Sequence, residues 1–103
     1  MDARITIVKR SLNDDLIETY FPEREGKLMA CPAFKDGQVF EIKGIFPTKP
    51  EGFCDWAWSD IQRNVAMACM GAKLPSGCAF TCCTDGLRPV TFRIEAIESK
   101  TDT

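Results

Sequence analysis

At 103 residues, 45% apolar and 27% charged, the chain has the size and composition of one globular domain spanning 1–103. Its formal net charge of −2 and lack of a lysine–arginine run offer no general attraction to phosphate backbones, so nucleic acid is not an expected partner. Six cysteines and no histidine exclude a cysteine–histidine dyad within the chain.

The first ten residues, Met1 to Arg10, hold an apolar stretch too short for the hydrophobic part of a secretory signal. No apolar run approaches the length of a membrane span. A cytoplasmic location follows as the expectation, with no membrane association and with reduced thiols rather than disulfides.

Residues 4–9 alternate, with Ile5 and Ile7 on one face and Thr6 and Val8 on the other, which predicts a strand. Ser11 offers an N-cap, and Asp14 and Asp15 suit the positive end of a short helix carrying Leu12, Leu16, Ile17 and Tyr20. Pro22 stops it, because the residue before a proline is pushed out of helical geometry. Residues 23–27 read as loop, and a short strand is expected around 27–31. Lys35-Asp36-Gly37-Gln38 is a turn launching a strand over 38–42, with Phe40 and Ile42 on one face. The prolines and glycines of 44–52 predict an irregular loop.

Asp55 is the expected cap of the main helix. Trp58, Ile61, Val65, Ala68, Cys69 and Ala72 form one apolar stripe along it, and Asp60 and Arg63 are spaced to pair. Gly71 and Pro75 mark its end. Strands over 78–83 and 90–97 close the domain around a Thr84-Asp85-Gly86-Leu87 turn, and residues 99–103 read as a frayed tail. On the last strand Val90, Phe92, Ile94 and Ala96 face inward. The order of elements predicts an α+β fold, a small and mostly antiparallel sheet packed against one long helix, with a short N-terminal helix beside it.

The cysteines admit three chemistries. As metal ligands, Cys31, Cys54, Cys82 and Cys83 suit zinc or an iron–sulfur cluster, though no C-x2-C pair is present and adjacent Cys82 and Cys83 point to opposite faces of a strand. As nucleophile, Cys54 or Cys83 would serve a thiol enzyme, Cys54 because a helix N-terminus stabilises a thiolate. As wall material, a free cysteine packs like a small hydrophobe, which is the reading for Cys69 on the helix stripe.

Trp56 diverges by roughly 200° from Trp58 around a helix, so it either packs on the 47–50 loop or lines a pocket. Asp85 and Gly86 suit a tight turn. Counting back from Val90 turns Arg88 inward, where its fork of donors fits a carboxylate or phosphate.

Cys31-Pro32 with Lys35-Asp36-Gly37-Gln38-Val39-Phe40, then Pro50-Glu51-Gly52-Phe53-Cys54 with Trp56-Ala57-Trp58, then Cys82-Cys83-Thr84-Asp85-Gly86-Leu87-Arg88-Pro89-Val90 form an ordered trio of motifs. Nearly the whole chain resembles an uncharacterised family of small cysteine- and tryptophan-containing single-domain proteins of anaerobic bacteria and archaea. That family often has a proline after the middle cysteine, where this chain has Asp55. The resemblance implies that Cys31, Cys54, Trp56, Trp58, Cys82 or Cys83, Asp85 and Arg88 group together, and it supplies no reaction. The sequence thus predicts a cytoplasmic domain with a thiol-lined pocket for a small ligand or a partner protein, with Cys54, Trp56, Cys83, Asp85 and Arg88 as its binding residues. A metalloprotein, a thiol enzyme and a structural accessory subunit are its rivals.

Overall fold

The computed structural model describes residues 1–44 and 46–99. Strand β1 (Asp2–Arg10) leads to helix α1 (Asp14–Tyr20), strand β2 (Val39–Ile42), helix α2 (Asp55–Cys69), and strands β3 (Cys78–Cys82) and β4 (Val90–Ile97). The four strands form one sheet in the order β2-β1-β4-β3, every neighbouring pair antiparallel. This is the α+β architecture the sequence predicts, with α2 lying across one face. No helix among the described residues is long and apolar enough to cross a membrane.

The core forms where the inward faces of the two central strands meet α2. Ala3, Ile5 and Ile7 of β1 and Val90, Phe92 and Ile94 of β4 are buried against Ala57, Ile61, Val65, Ala68 and Cys69 of α2. Burying such side chains contributes roughly 1.5–3 kcal/mol each, enough collectively to hold a domain without a staple. All six cysteines are free thiols. Burial pushes the Cys69 thiol above its ordinary range, in keeping with a core role.

Helix α2 ends in a paired cap. Gly71, at a φ of 78°, takes the left-handed conformation that suits glycine. The N–H of Ala72 reaches the carbonyl of Met67, and that of Gly71 reaches the carbonyl of Ala68, each at 3.0 Å. Ala72 therefore lies beyond the helix rather than on its stripe. At the other end the cap position is Cys54, one residue before the expected Asp55, which forms an ion pair with Lys49 instead. The deepest residue of the first turn is Ala57, and Trp58 sits beside it half-buried, edge-on to Phe53.

The remaining differences arise where tertiary bonds override local propensity. Beyond β1 the chain stays extended: the N–H of Ser11 reaches the carbonyl of Pro89 at 2.8 Å, and that of Asn13 reaches Leu87 at 2.9 Å. Helix α1 therefore begins at Asp14, with Asn13 rather than Ser11 at its cap, and only Ile17 of its expected apolar residues is buried. Val8 is exposed on the face opposite buried Ile5 and Ile7, as the alternation predicts, but a register shift against β4 falls between Ile7 and Lys9. Residues 27–31 form no strand. Ser99 is tied down, its hydroxyl donating to the buried Asp2 carboxylate at 3.0 Å, so the fraying expected for 99–103 does not begin there. Residues 100–103 lie outside the described residues.

Candidate functional site

Three segments meet around a cavity of about 470 Å³: the loop from Cys31 to Phe34, the start of α2 with Cys54, Trp56 and Ala57, and the β3–β4 hairpin with Cys83, Asp85, Arg88 and Val90. Each segment is held by a different device.

The 31–34 loop has no regular structure, and its anchor is Phe34. That ring is buried, edge-on to Phe53 at 5.0 Å, Phe92 at 5.4 Å and Phe40 at 6.1 Å. Arg10 holds the other end, donating from Nη1 to the Cys31 carbonyl and from Nε to Asp36, both at 3.1 Å. The loop thus sets Cys31, Pro32 and Ala33 along one wall.

Buried Phe53 draws Cys54 to the first turn of α2, where the Cys54 carbonyl accepts the Trp58 N–H at 2.9 Å. Trp56 is 71% exposed and stands at the rim. Its indole N–H donates to the Thr84 hydroxyl at 2.8 Å, while the Thr84 N–H and hydroxyl bond the Asp60 carboxylate at 2.8 and 3.1 Å. Asp60 therefore ties α2 to the hairpin rather than pairing with Arg63. Behind Trp56 lies a second cleft of about 310 Å³, lined also by Asp55, Ser59, Asp60 and Thr84.

The hairpin connection is wider than the tight turn the sequence suggests. It closes where the Cys83 N–H meets the Val90 carbonyl at 3.1 Å, and the Val90 N–H donates back to Cys83 Sγ at 3.4 Å. Inside it, one Asp85 oxygen accepts the N–H groups of Leu87 and Arg88, both at 3.0 Å, and the other accepts Arg88 Nε at 3.3 Å. Burial pushes the Asp85 carboxyl up, but these donors and the guanidinium outweigh it and hold it below the ordinary value. Asp85 occupies Nε of Arg88 and so orients the guanidinium. Its terminal nitrogens have no bond among the described residues.

Cys31, Cys54, Trp56, Cys83, Asp85 and Arg88 thus lie on one cavity. Trp58 and Cys82 do not line it. Cys82 is exposed and Cys83 buried, because consecutive strand residues point to opposite faces of the sheet. The proposed ligand set of Cys31, Cys54, Cys82 and Cys83 is therefore not assembled. Among the described residues no three cysteine, aspartate or glutamate side chains come together in a group that would hold a metal ion. Sequence reasoning passed over Phe34, Thr84 and Asp60. Phe34 lies in an aperiodic stretch, and the Thr84–Asp60 bond joins positions 24 apart with no local signal. Comparisons with protein families, curated proteins and solved structures find no match.

Proposed function

We propose that this chain is a cytoplasmic small-ligand-binding domain whose pocket is the thiol-lined cavity, and that it acts on neither nucleic acid nor membrane. The observation that carries this reading is the convergence of three cysteines, Trp56, Asp85 and Arg88 on a single space of about 470 Å³. Binding sites for small molecules are typically clefts of about 300–1,000 Å³, mostly apolar with a few placed polar groups. Here Phe34, Ala57 and Val90 supply apolar wall, the thiols supply polarizable surface, and Trp56 offers a ring face at the rim. The terminal nitrogens of Arg88 supply a forked donor for a carboxylate or similar acceptor. A partly open space of this volume, walled by a loop, the start of α2 and a hairpin, suits a small molecule better than a protein partner. The ordered trio of motifs supports placing the chain with the uncharacterised family it resembles.

A thiol-enzyme reading has one observation in its favour: Cys54 occupies the N-cap of α2 and also lines the cavity. Limited iodoacetamide labelling read by mass spectrometry separates the two. A binding pocket gives alkylation of Cys54 that falls when small aromatic carboxylates are added. A nucleophile gives fast, selective alkylation of Cys54 over Cys31 at neutral pH. Labelling of Cys54 that no carboxylate slows would count against the binding reading.

A further inference from the structure

Among the described residues, only two charged side chains line the cavity of about 470 Å³, and they form one pair, Asp85 with Arg88. Both Asp85 oxygens are engaged. One accepts the N–H groups of Leu87 and Arg88, and the other accepts Arg88 Nε. A cation entering the cavity would have to compete with Arg88 for that carboxylate. The same donors hold the Asp85 carboxyl below its ordinary value, so the pair as a whole is neutral at neutral pH. One negative charge on a ligand meets the free end of the guanidinium without displacing any partner. A second negative charge finds no cation of its own and stands near Asp85.

The rest of the lining is soft. Cys31, Cys54 and Cys83 bring sulfur from three separate segments, and no hydroxyl, amide or ammonium side chain joins them among the described residues. Trp56 contributes its ring alone, since its indole N–H is taken by the Thr84 hydroxyl at 2.8 Å. Phe34 adds a second ring. Such a lining discriminates between ligands of similar bulk. Divalent sulfur is drawn to an aromatic ring, and two rings attract each other beyond the area they bury. A saturated ring draws neither attraction.

We propose that the ligand of this cavity is a flat aromatic monocarboxylate, with its charge on the Arg88 fork and its ring between the thiols and Trp56. This rests on the binding reading above and narrows it. Aliphatic acids lack the ring, amino acids bring an ammonium that no free carboxylate receives, and phosphoryl compounds bring a charge too many.

Titration calorimetry of the reduced protein with matched probes tests each contrast. Benzoate and cyclohexanecarboxylate differ in ring saturation, and the saturated ring has the larger apolar surface, so burial alone would favour it. A sulfur–ring contact is worth about twofold to tenfold in affinity, so benzoate is expected to bind roughly tenfold tighter. Hydrocinnamate and phenylalanine differ by one ammonium, and phenylalanine is expected to bind much more weakly. Phenylphosphonate should likewise fall below benzoate. A double variant, Cys31→Ser with Cys54→Ser, keeps the shape without the sulfur, and serine suits the helix cap at 54. It should bring the benzoate ratio toward one, with cyclohexanecarboxylate affinity and the circular dichroism spectrum nearly unchanged. Equal affinity for the two ring acids, each lost in Arg88→Ala, would overturn the aromatic assignment and leave the binding reading standing. So would phenylalanine or phenylphosphonate matching its carboxylate counterpart, or a ratio that the double variant does not move. Binding of none of these acids would overturn this proposal and the binding reading together.

Discussion

The two tryptophans show how position on one helix sets what a ring can contribute to stability. Trp58 is half-buried, its ring edge-on to Phe53 at 5.8 Å, while Trp56 stands exposed at the cavity rim with one hydrogen bond to Thr84. Trp58→Ala is expected to lower unfolding free energy by about 2–4 kcal/mol, somewhat under the range for a fully buried ring. Trp56→Ala loses one exposed hydrogen bond, worth about 0.5–1.5 kcal/mol at most. Denaturant melts of the two variants check this order. Arg88 makes the opposite contrast. Its ion pair with Asp85 is about one-third exposed on both sides, and such pairs contribute little to stability. A charged hydrogen bond to a bound carboxylate contributes about 1.5–3 kcal/mol, so Arg88→Ala should weaken binding roughly ten- to a hundredfold while barely moving the melting temperature. Titration calorimetry beside a thermal melt reads both quantities.

At the scale of elements, the regular pieces were legible and the joints between them were not. The alternation of β1 and β4 and the stripe of α2 are local periodicities, and the structure keeps them, with Ile5, Ile7, Val90, Phe92 and Ile94 all fully buried. The start of α1 moved because Ser11 and Asn13 bond to Pro89 and Leu87, residues far along the chain that no capping rule sees. The clustering of Cys31, Cys54, Cys83 and Arg88 could be anticipated because each adjoins a turn. Phe34 could not, since an aromatic in an aperiodic loop carries no periodic signal. Yet Phe34 fixes the whole 31–34 wall through three aromatic neighbours. Phe34→Ala should cost about 3–5 kcal/mol and release the loop. Hydrogen exchange should then quicken across residues 31–36 and leave α2 protected. Uniform loss of protection would show that the ring holds the core rather than the loop.

At the scale of the molecule, Asp2 joins the start of β1 to the residues that follow β2 and β4. Its buried carboxylate accepts the Gly44 N–H at 2.9 Å and the Ser99 hydroxyl, and faces Lys43. The Gly44 bond leads the causes that hold it below the ordinary value, against the opposing push of burial. A carboxyl depressed by folding stabilises the native state above its unfolded pKa of about 3.9 and loses that contribution as pH falls through the folded value. Stability should therefore decline below about pH 4, and Asp2→Asn should flatten part of that decline in acid titrations followed by circular dichroism. Ligand binding in the cavity through Arg88 can be read from thermal melts of the reduced protein against a panel of small aromatic and branched aliphatic carboxylates. A ligand at a hundred times its dissociation constant adds about 2.7 kcal/mol, and each kcal/mol moves the midpoint of a domain this size by about 4–8 °C. Wild type should show such a rise with at least one carboxylate, and the rise should nearly disappear in Arg88→Ala and Trp56→Ala. No rise across the panel, or an equal rise in both variants, would contradict it.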